Sequence, residues 1–145
     1  MQLSELWLRQ WVDLPLSSDA LLTELTLLGL EVDTCKPACD DFKGVVVGLV
    51  KTCVSHPKAD RLRVCQVDVG GKDLLQIVCG ADNVREGLHV AVVQVGGFLP
   101  PDIDIKAASL RGETSLGMIC SARELGLSQD HAGILELPES APVGT

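Results

Sequence analysis

The stretch Arg61-Leu-Arg-Val-Cys-Gln-Val-Asp-Val-Gly-Gly-Lys-Asp-Leu-Leu-Gln-Ile-Val78 decides the fold. Arg61 to Val69 and Asp73 to Val78 are β-rich runs, and Gly70-Gly71 between them supplies the positive-φ freedom of a tight hairpin turn. In the first run Leu62 and Val64 share one face, whereas Val67 and Val69 have the opposite parity. A regular half-buried strand keeps one parity. The switch therefore predicts a bulge, with two residues near Cys65–Gln66 opposing one on a neighbouring strand. A strand buried on both faces is the alternative.

Working outward, Val45 to Val54 is a longer β-rich run with Gly48 inside it, where a sharp bend is expected. His56-Pro57-Lys58-Ala59-Asp60 reads as a turn. Downstream, Ala81 to Gly87 is a loop and Leu88 to Val95 a fourth strand. Short strands follow near Ile105–Leu110 and Ser115–Ser121, then a helical turn at Ala122–Leu125 stopped by Gly126, then a last strand at Ile134–Leu137. Closely spaced strands with hairpin signals predict a small closed barrel.

The first 36 residues have a different period. Leu6, Trp7 and Trp11 recur at helical spacing behind Ser4, a natural N-cap. Asp13-Leu14-Pro15 ends that helix. Ser17 or Ser18 opens a second, whose stripe is Leu21, Leu25 and Leu28 and whose stop is Gly29. Leu30 to Thr34 alternates as a strand does. The chain thus reads as α+β: a helix-helix-strand half-domain over 1–40, then a five-stranded barrel with an exit segment over 41–145.

Composition narrows what such a chain can do. Its 145 residues carry a formal net charge of -8, unevenly spread. Residues 1–42 hold two basic and eight acidic side chains, residues 43–112 nine basic and seven acidic, and residues 113–145 one basic and five acidic. The mildly basic middle keeps a nucleic-acid surface open without requiring one. Aromatics are only 3% of the residues, so stacking platforms for bases are scarce. The longest apolar run, Leu88 to Leu99, is broken by His89, Gln94 and two glycines, and Glu5 and Arg9 interrupt the N-terminus. Neither a membrane helix nor a signal peptide is expected, and the reading is a soluble, cytoplasmic protein. The six cysteines are scattered, so buried reduced thiols are expected rather than a disulfide framework, and no spacing suits a structural metal.

Catalytic signatures are missing. There is no phosphate-binding glycine loop, no HExxH and no GxSxG. His56, His89 and His131 lie far apart and read as turn, strand and loop residues. Asp102 and Asp104 beside Pro101 read as an acidic loop rather than an acid/base pair. No catalytic residue is expected here.

Two long motifs are specific. Gly44-Val-Val-Val-Gly-Leu-Val, His56-Pro-Lys-Ala-Asp-Arg-Leu-Arg-Val and Val67-Asp-Val-Gly70 resemble the opening of the tRNA-binding OB-fold domain. Lys106-Ala-Ala-Ser-Leu-Arg-Gly-Glu-Thr-Ser-Leu-Gly-Met-Ile-Cys-Ser121 resembles that domain's second signature, with Ser115 to Met118 as its core. Leu6-Trp-Leu-Arg, Trp11-Val, Leu25-Thr and Gly29-Leu-Glu-Val-Asp33 resemble the start of the bacterial phenylalanyl-tRNA synthetase β-subunit family.

That resemblance implies an N-terminal fragment of a longer β subunit, in an α2β2 heterotetramer with the synthetase α subunit. The whole enzyme joins phenylalanine to tRNA(Phe) with ATP and Mg²⁺, and its aminoacylation and editing sites lie outside these residues. No cofactor is expected in the fragment. The resemblance further implies that the barrel is inserted into the helical half-domain, whose remainder follows residue 145. The chain near Asp41 and near Pro138 should then lie close together. A free-standing OB-fold module that binds tRNA or docks a protein is the alternative, against which the first 36 residues weigh.

OB folds use the face of strands 2 and 3 and the adjoining loops for nucleic acid. By resemblance this marks Lys58, Arg61, Arg63, Lys106 and Arg111 as partners of phosphates, with Ser115 hydrogen-bonding a sugar or base edge and Met118 beside it. Solvated strand charges, and turn and core roles for Ser115 and Met118, are the competing reading.

Overall fold

Two serines begin the N-terminal part. In the computed structural model, which describes residues 3–37, 41–129 and 132–145, Ser4 Oγ accepts from Trp7 N at 3.3 Å and opens α1 (Glu5–Trp11). Ser17 Oγ accepts from Ala20 N at 3.3 Å and opens α2 (Ser18–Leu27). Each side chain satisfies an amide that the first helical turn leaves unpaired. The link between the helices is fastened by Arg9, which donates to Glu5 Oε1 at 2.9 Å and to the carbonyls of Leu14 and Leu16 at 2.7 Å each. Ser18 Oγ donates to the same Glu5 oxygen at 2.8 Å. Gly29, at φ +89°, ends α2: its N–H donates to Thr26 O and that of Leu30 to Leu25 O.

The strand expected at Leu30–Thr34 does not form. A strand exists by pairing its backbone groups with a neighbour. Among the described residues of this unit, Met1–Ala38, no other extended segment pairs with it. Alternation alone was insufficient.

The described residues of the second unit, Cys39–Thr145, form nine strands: β1 (Lys43–His56), β2 (Ala59–Asp68), β3 (Leu75–Cys79), β4 (His89–Leu99), β5 (Ile103–Asp104), β6 (Ala108–Leu110), β7 (Glu113–Ser115), β8 (Gly117–Ile119) and β9 (Glu136–Leu137). The main sheet is antiparallel in the order β3-β2-β1-β4-β5, with β8 and β9 also on β4. Leu116 N donates to Gln76 O at 2.8 Å and Val78 N to Ser115 Oγ at 3.0 Å, which brings the β7–β8 corner onto β3 and nearly closes the barrel. This is the α+β architecture with a small barrel that the strand spacing predicts, of the OB type that the resemblance implies.

β1 serves two neighbours. Lys43 to Leu49 faces β4 and Leu49 to His56 faces β2, so Leu49 lies opposite both His89 and Asp68. The bulge is on this strand, not at Cys65–Gln66. Val50 faces Val67 and Thr52 faces Gln66, leaving Lys51 as the extra residue, while β2 keeps an unbroken register with β3 from Arg63 to Val67. The parity switch has another cause: consecutive Val64 and Cys65, pointing to opposite faces, are both buried. At Gly48 pairing with β4 continues on either side. A Cβ there would come 2.7 Å from Val92 Cγ2 and 2.8 Å from Val67 Cγ1, so interior packing excludes a side chain.

The largest core cluster gathers Val50, Val67, Ile77, Val90 and Val92 inside the barrel, and a smaller one gathers Val93, Leu99, Ile105 and Leu125. Cys65, Cys79 and Cys120 are buried, Cys53 is half-buried and Cys35 exposed, and all five are free thiols. Burial pushes Cys65 and Cys120 up to about 12 each, which keeps them protonated. Cys39 lies outside the described residues.

The chain near Pro138 does not return beside Asp41. Leu137 faces His89 whereas Lys43 faces Phe98, at opposite ends of β4. Residues 138–145 instead run back to the middle of β1, where Gly144 N donates to Val47 O and Val47 N to Thr145 O. No helix among the described residues is long and apolar enough to cross a membrane.

Candidate nucleic-acid interface

The β1–β2 hairpin has a two-residue tip, Pro57-Lys58, since His56 pairs with Ala59. A second two-residue tip, Arg111-Gly112, joins β6 to β7 between the paired Leu110 and Glu113. Both of its residues take positive φ, Arg111 at 52° and Gly112 at 99°. Glycine adopts that geometry freely, whereas an arginine there carries a cost of about 1 kcal/mol.

The two tips meet. His56, only 5% exposed, has Nδ1 3.0 Å from Lys58 N and Nε2 3.0 Å from Leu110 O. Lys58 Nζ reaches to 3.5 Å from where a Gly112 side chain would begin. Lys58 and Arg111, separated by 53 positions, therefore sit on neighbouring tips. Arg61 and Arg63 follow on β2, both exposed, with Arg63 between Ser55 and Cys79. Lys106 is exposed on the segment between β5 and β6. Among the described residues no carboxylate lies within ion-pair distance of any of these five cations, a property they share with Lys36, Lys43, Lys72 and Arg123; only Arg9, Lys51 and Arg85 have partners.

Ser115 departs from the expectation. Its hydroxyl accepts from Val78 N at 3.0 Å and donates to Gly117 O at 2.9 Å, and the residue is 4% exposed. That oxygen ties β7 and β8 to β3. Met118 is half-buried and packs against the smaller core cluster. Between these elements a polar ladder crosses the sheet: Gln66 Nε2 donates to Gln76 Oε1 at 3.2 Å, and Gln76 Nε2 to Thr114 O at 2.9 Å and Glu113 Oε2 at 3.2 Å.

Two of the three histidines are described. His89 is half-buried, with Nδ1 lacking a hydrogen-bond partner; His131 lies outside the described residues. Asp102 and Asp104 are exposed. Among the described residues no three His, Cys, Asp or Glu side chains are grouped to hold a metal ion, and no glycine-rich phosphate loop follows a strand.

A nearly closed antiparallel barrel with cations on two adjoining tips defines an OB-type fold. Residues 45–145 match the family described as "Putative tRNA binding domain", and the chain belongs to that family. Over all 145 residues it is 60% identical to the phenylalanine–tRNA ligase beta subunit of Dickeya dadantii and 58% identical to that of Pectobacterium atrosepticum. The match takes in 100% of this chain but only 18% of either relative's length. Among solved structures, the MetRS related protein from Pyrococcus horikoshii aligns with a TM-score of 0.51 and 26% identity, over 71% of this chain and 86% of that one. The C-terminal domain of Plasmodium vivax p43 aligns at 0.50 and 25% identity, over 69% of this chain and 56% of that one.

Proposed function

We propose that this chain is a non-catalytic, tRNA-binding part of a phenylalanine–tRNA ligase β subunit. In that reading it works in the cytoplasm within an α2β2 assembly that charges tRNA(Phe) at the expense of ATP, with chemistry carried by other parts. The barrel is inserted into the helical half-domain, whose remaining elements come from beyond residue 145. The return toward the entry is made by residues 138–145, which bond to Val47 of β1, rather than at Pro138 itself. The observation that carries the reading is the meeting of two cationic tips, Lys58 and Arg111, with the exposed Arg61 and Arg63 following on β2, in a chain of net charge -8. Grouped, exposed cations suit a phosphate backbone. Phe42 and Phe98 are the barrel segment's only aromatics, so contact through phosphates and shape suits it better than base stacking. Lys106 adds to the basic surface, while Ser115 and Met118 support the sheet beneath.

The test is a tRNA titration of the 145-residue chain over a range of salt. Binding is expected to be weak and salt-sensitive. Arg61→Ala with Arg63→Ala should lower the magnitude of the log–log salt slope by roughly 1.4–1.8, because each lost phosphate contact removes roughly 0.7–0.9. All tRNAs should weaken alike. Unchanged affinity and slope would return both arginines to the solvated-surface reading.

Arg111 offers a sharper contrast. Asparagine tolerates left-handed backbone geometry better than arginine does, so Arg111→Asn should stabilise the chain by about 0.5–1 kcal/mol. The same substitution should weaken tRNA binding. Thermal melts and titrations together check it: a variant both more stable and equally tight would remove Arg111 from the interface.

A further inference from the structure

We propose that His56 is a positioning residue for the interface: it fastens the β1–β2 tip to the β6–β7 tip so that Lys58 and Arg111 engage one stretch of RNA backbone together. This rests on the tRNA-binding reading above and adds the device that builds the site. The Lys58 backbone amide can only donate, so Nδ1 must carry the lone pair. The ring proton is thereby assigned to Nε2, which donates to Leu110 O at 3.0 Å. One neutral imidazole, almost fully buried, thus bonds to the main chain of Lys58 itself and of the residue before Arg111. The two bonds span 2 and 54 positions of sequence, so the ring joins a local turn to a distant one.

Three further observations agree. Lys58 reaches over Gly112, on the tip that carries Arg111, its Nζ lying 3.5 Å from where a Gly112 side chain would begin. Arg111 is held in a backbone geometry that disfavours any residue with a Cβ. Neither cation has a carboxylate partner among the described residues, so nothing local favours holding two positive charges on adjoining tips. A phosphodiester placed between them would supply the missing countercharge.

The test separates the two bonds of the ring. His56→Asn keeps an acceptor near the Nδ1 position and loses the reach to Leu110. His56→Gln keeps a donor near the Nε2 position and loses the acceptor for Lys58. If joining the tips is the function, His56→Asn weakens tRNA binding about fivefold to tenfold at 0.1 M salt, the effect of one lost phosphate contact. His56→Gln retains most of the affinity. In a chain already carrying Lys58→Ala and Arg111→Ala, His56→Asn should cost nothing more, since residues acting as one unit are not additive. Nitrogen-15 NMR of the unmodified chain should show a lone-pair Nδ1 and a protonated Nε2, whatever the RNA result. Equal losses in both His56 variants, additive losses on the double-alanine background, or the opposite tautomer would each overturn the proposal. If Lys58→Ala with Arg111→Ala leaves tRNA binding intact, the RNA reading of these tips falls. If that pair matters and His56→Asn does not, only the positioning role falls.

Discussion

Gly97→Ala is expected to destabilise the barrel by about 3 kcal/mol, at the upper end of what overpacking usually costs. A Cβ at Gly97 would lie 2.6 Å from Val93 Cγ2, 2.7 Å from Lys43 O and 2.9 Å from Gln94 O. The valine methyl can turn aside, but two of the three obstacles are main-chain oxygens. Relieving them means moving the start of β1, which carries Lys43, away from β4, and distorting β4 itself at Gln94. That pairing is already tight, since a Cβ at Gly44 would come 3.0 Å from Gly97 Cα. Gly87→Ala is the control: it has nothing within 4 Å and only its φ of +85° to oppose a side chain, a cost of about 1 kcal/mol. Urea denaturation of both variants gives the comparison. Equal shifts of the midpoint would mean that backbone geometry, not crowding, governs Gly97.

Period and punctuation made most of the barrel legible. Val45 to Val54, Arg61 to Val69 and Leu88 to Val95 are rich in β-branched residues; the first lies within β1, and the other two overlap β2 and β4 to within one residue at an end. Ser4, Ser17 and Gly29 set the helix limits because capping is local chemistry. Long-range pairing was not legible. Leu30–Thr34 alternates like a strand, yet a pattern cannot supply the neighbour it needs. The parity switch in β2 was real but reported burial on both faces, while the extra residue sat across the ladder at Lys51. Gly48 looked like a bend because packing between Val67 and Val92 leaves no mark in its own neighbourhood.

The candidate site divides along the same line. Lys58, Arg61, Arg63 and Arg111 could be picked out as cations beside motifs. That Lys58 and Arg111 share a location could not, because the group that joins them, His56, bonds to a carbonyl 54 positions away. Read locally, His56 is only the residue before a Pro-Lys turn. Its burial depends on the β6–β7 tip lying over it, and nothing in residues 55–60 encodes that.

Ser115→Ala should show what a signature serine does here. The hydroxyl accepts from Val78 N and donates to Gly117 O, 37 and 2 positions away. Alanine fills nearly the same space, so no clash or large cavity complicates the result. It leaves a buried amide of β3 without an acceptor, and an orphaned buried donor costs about 2 kcal/mol. The loss should appear as a lower urea midpoint with an unchanged slope, because the surface exposed on unfolding stays the same. At temperatures where the variant is fully folded, its tRNA affinity should match that of the unmodified chain. An RNA-contacting serine would give the reverse: stability kept and affinity lost. The reverse result would require the hydroxyl to leave Val78 in the complex and turn outward, which would reopen the seam between β3 and the β7–β8 corner.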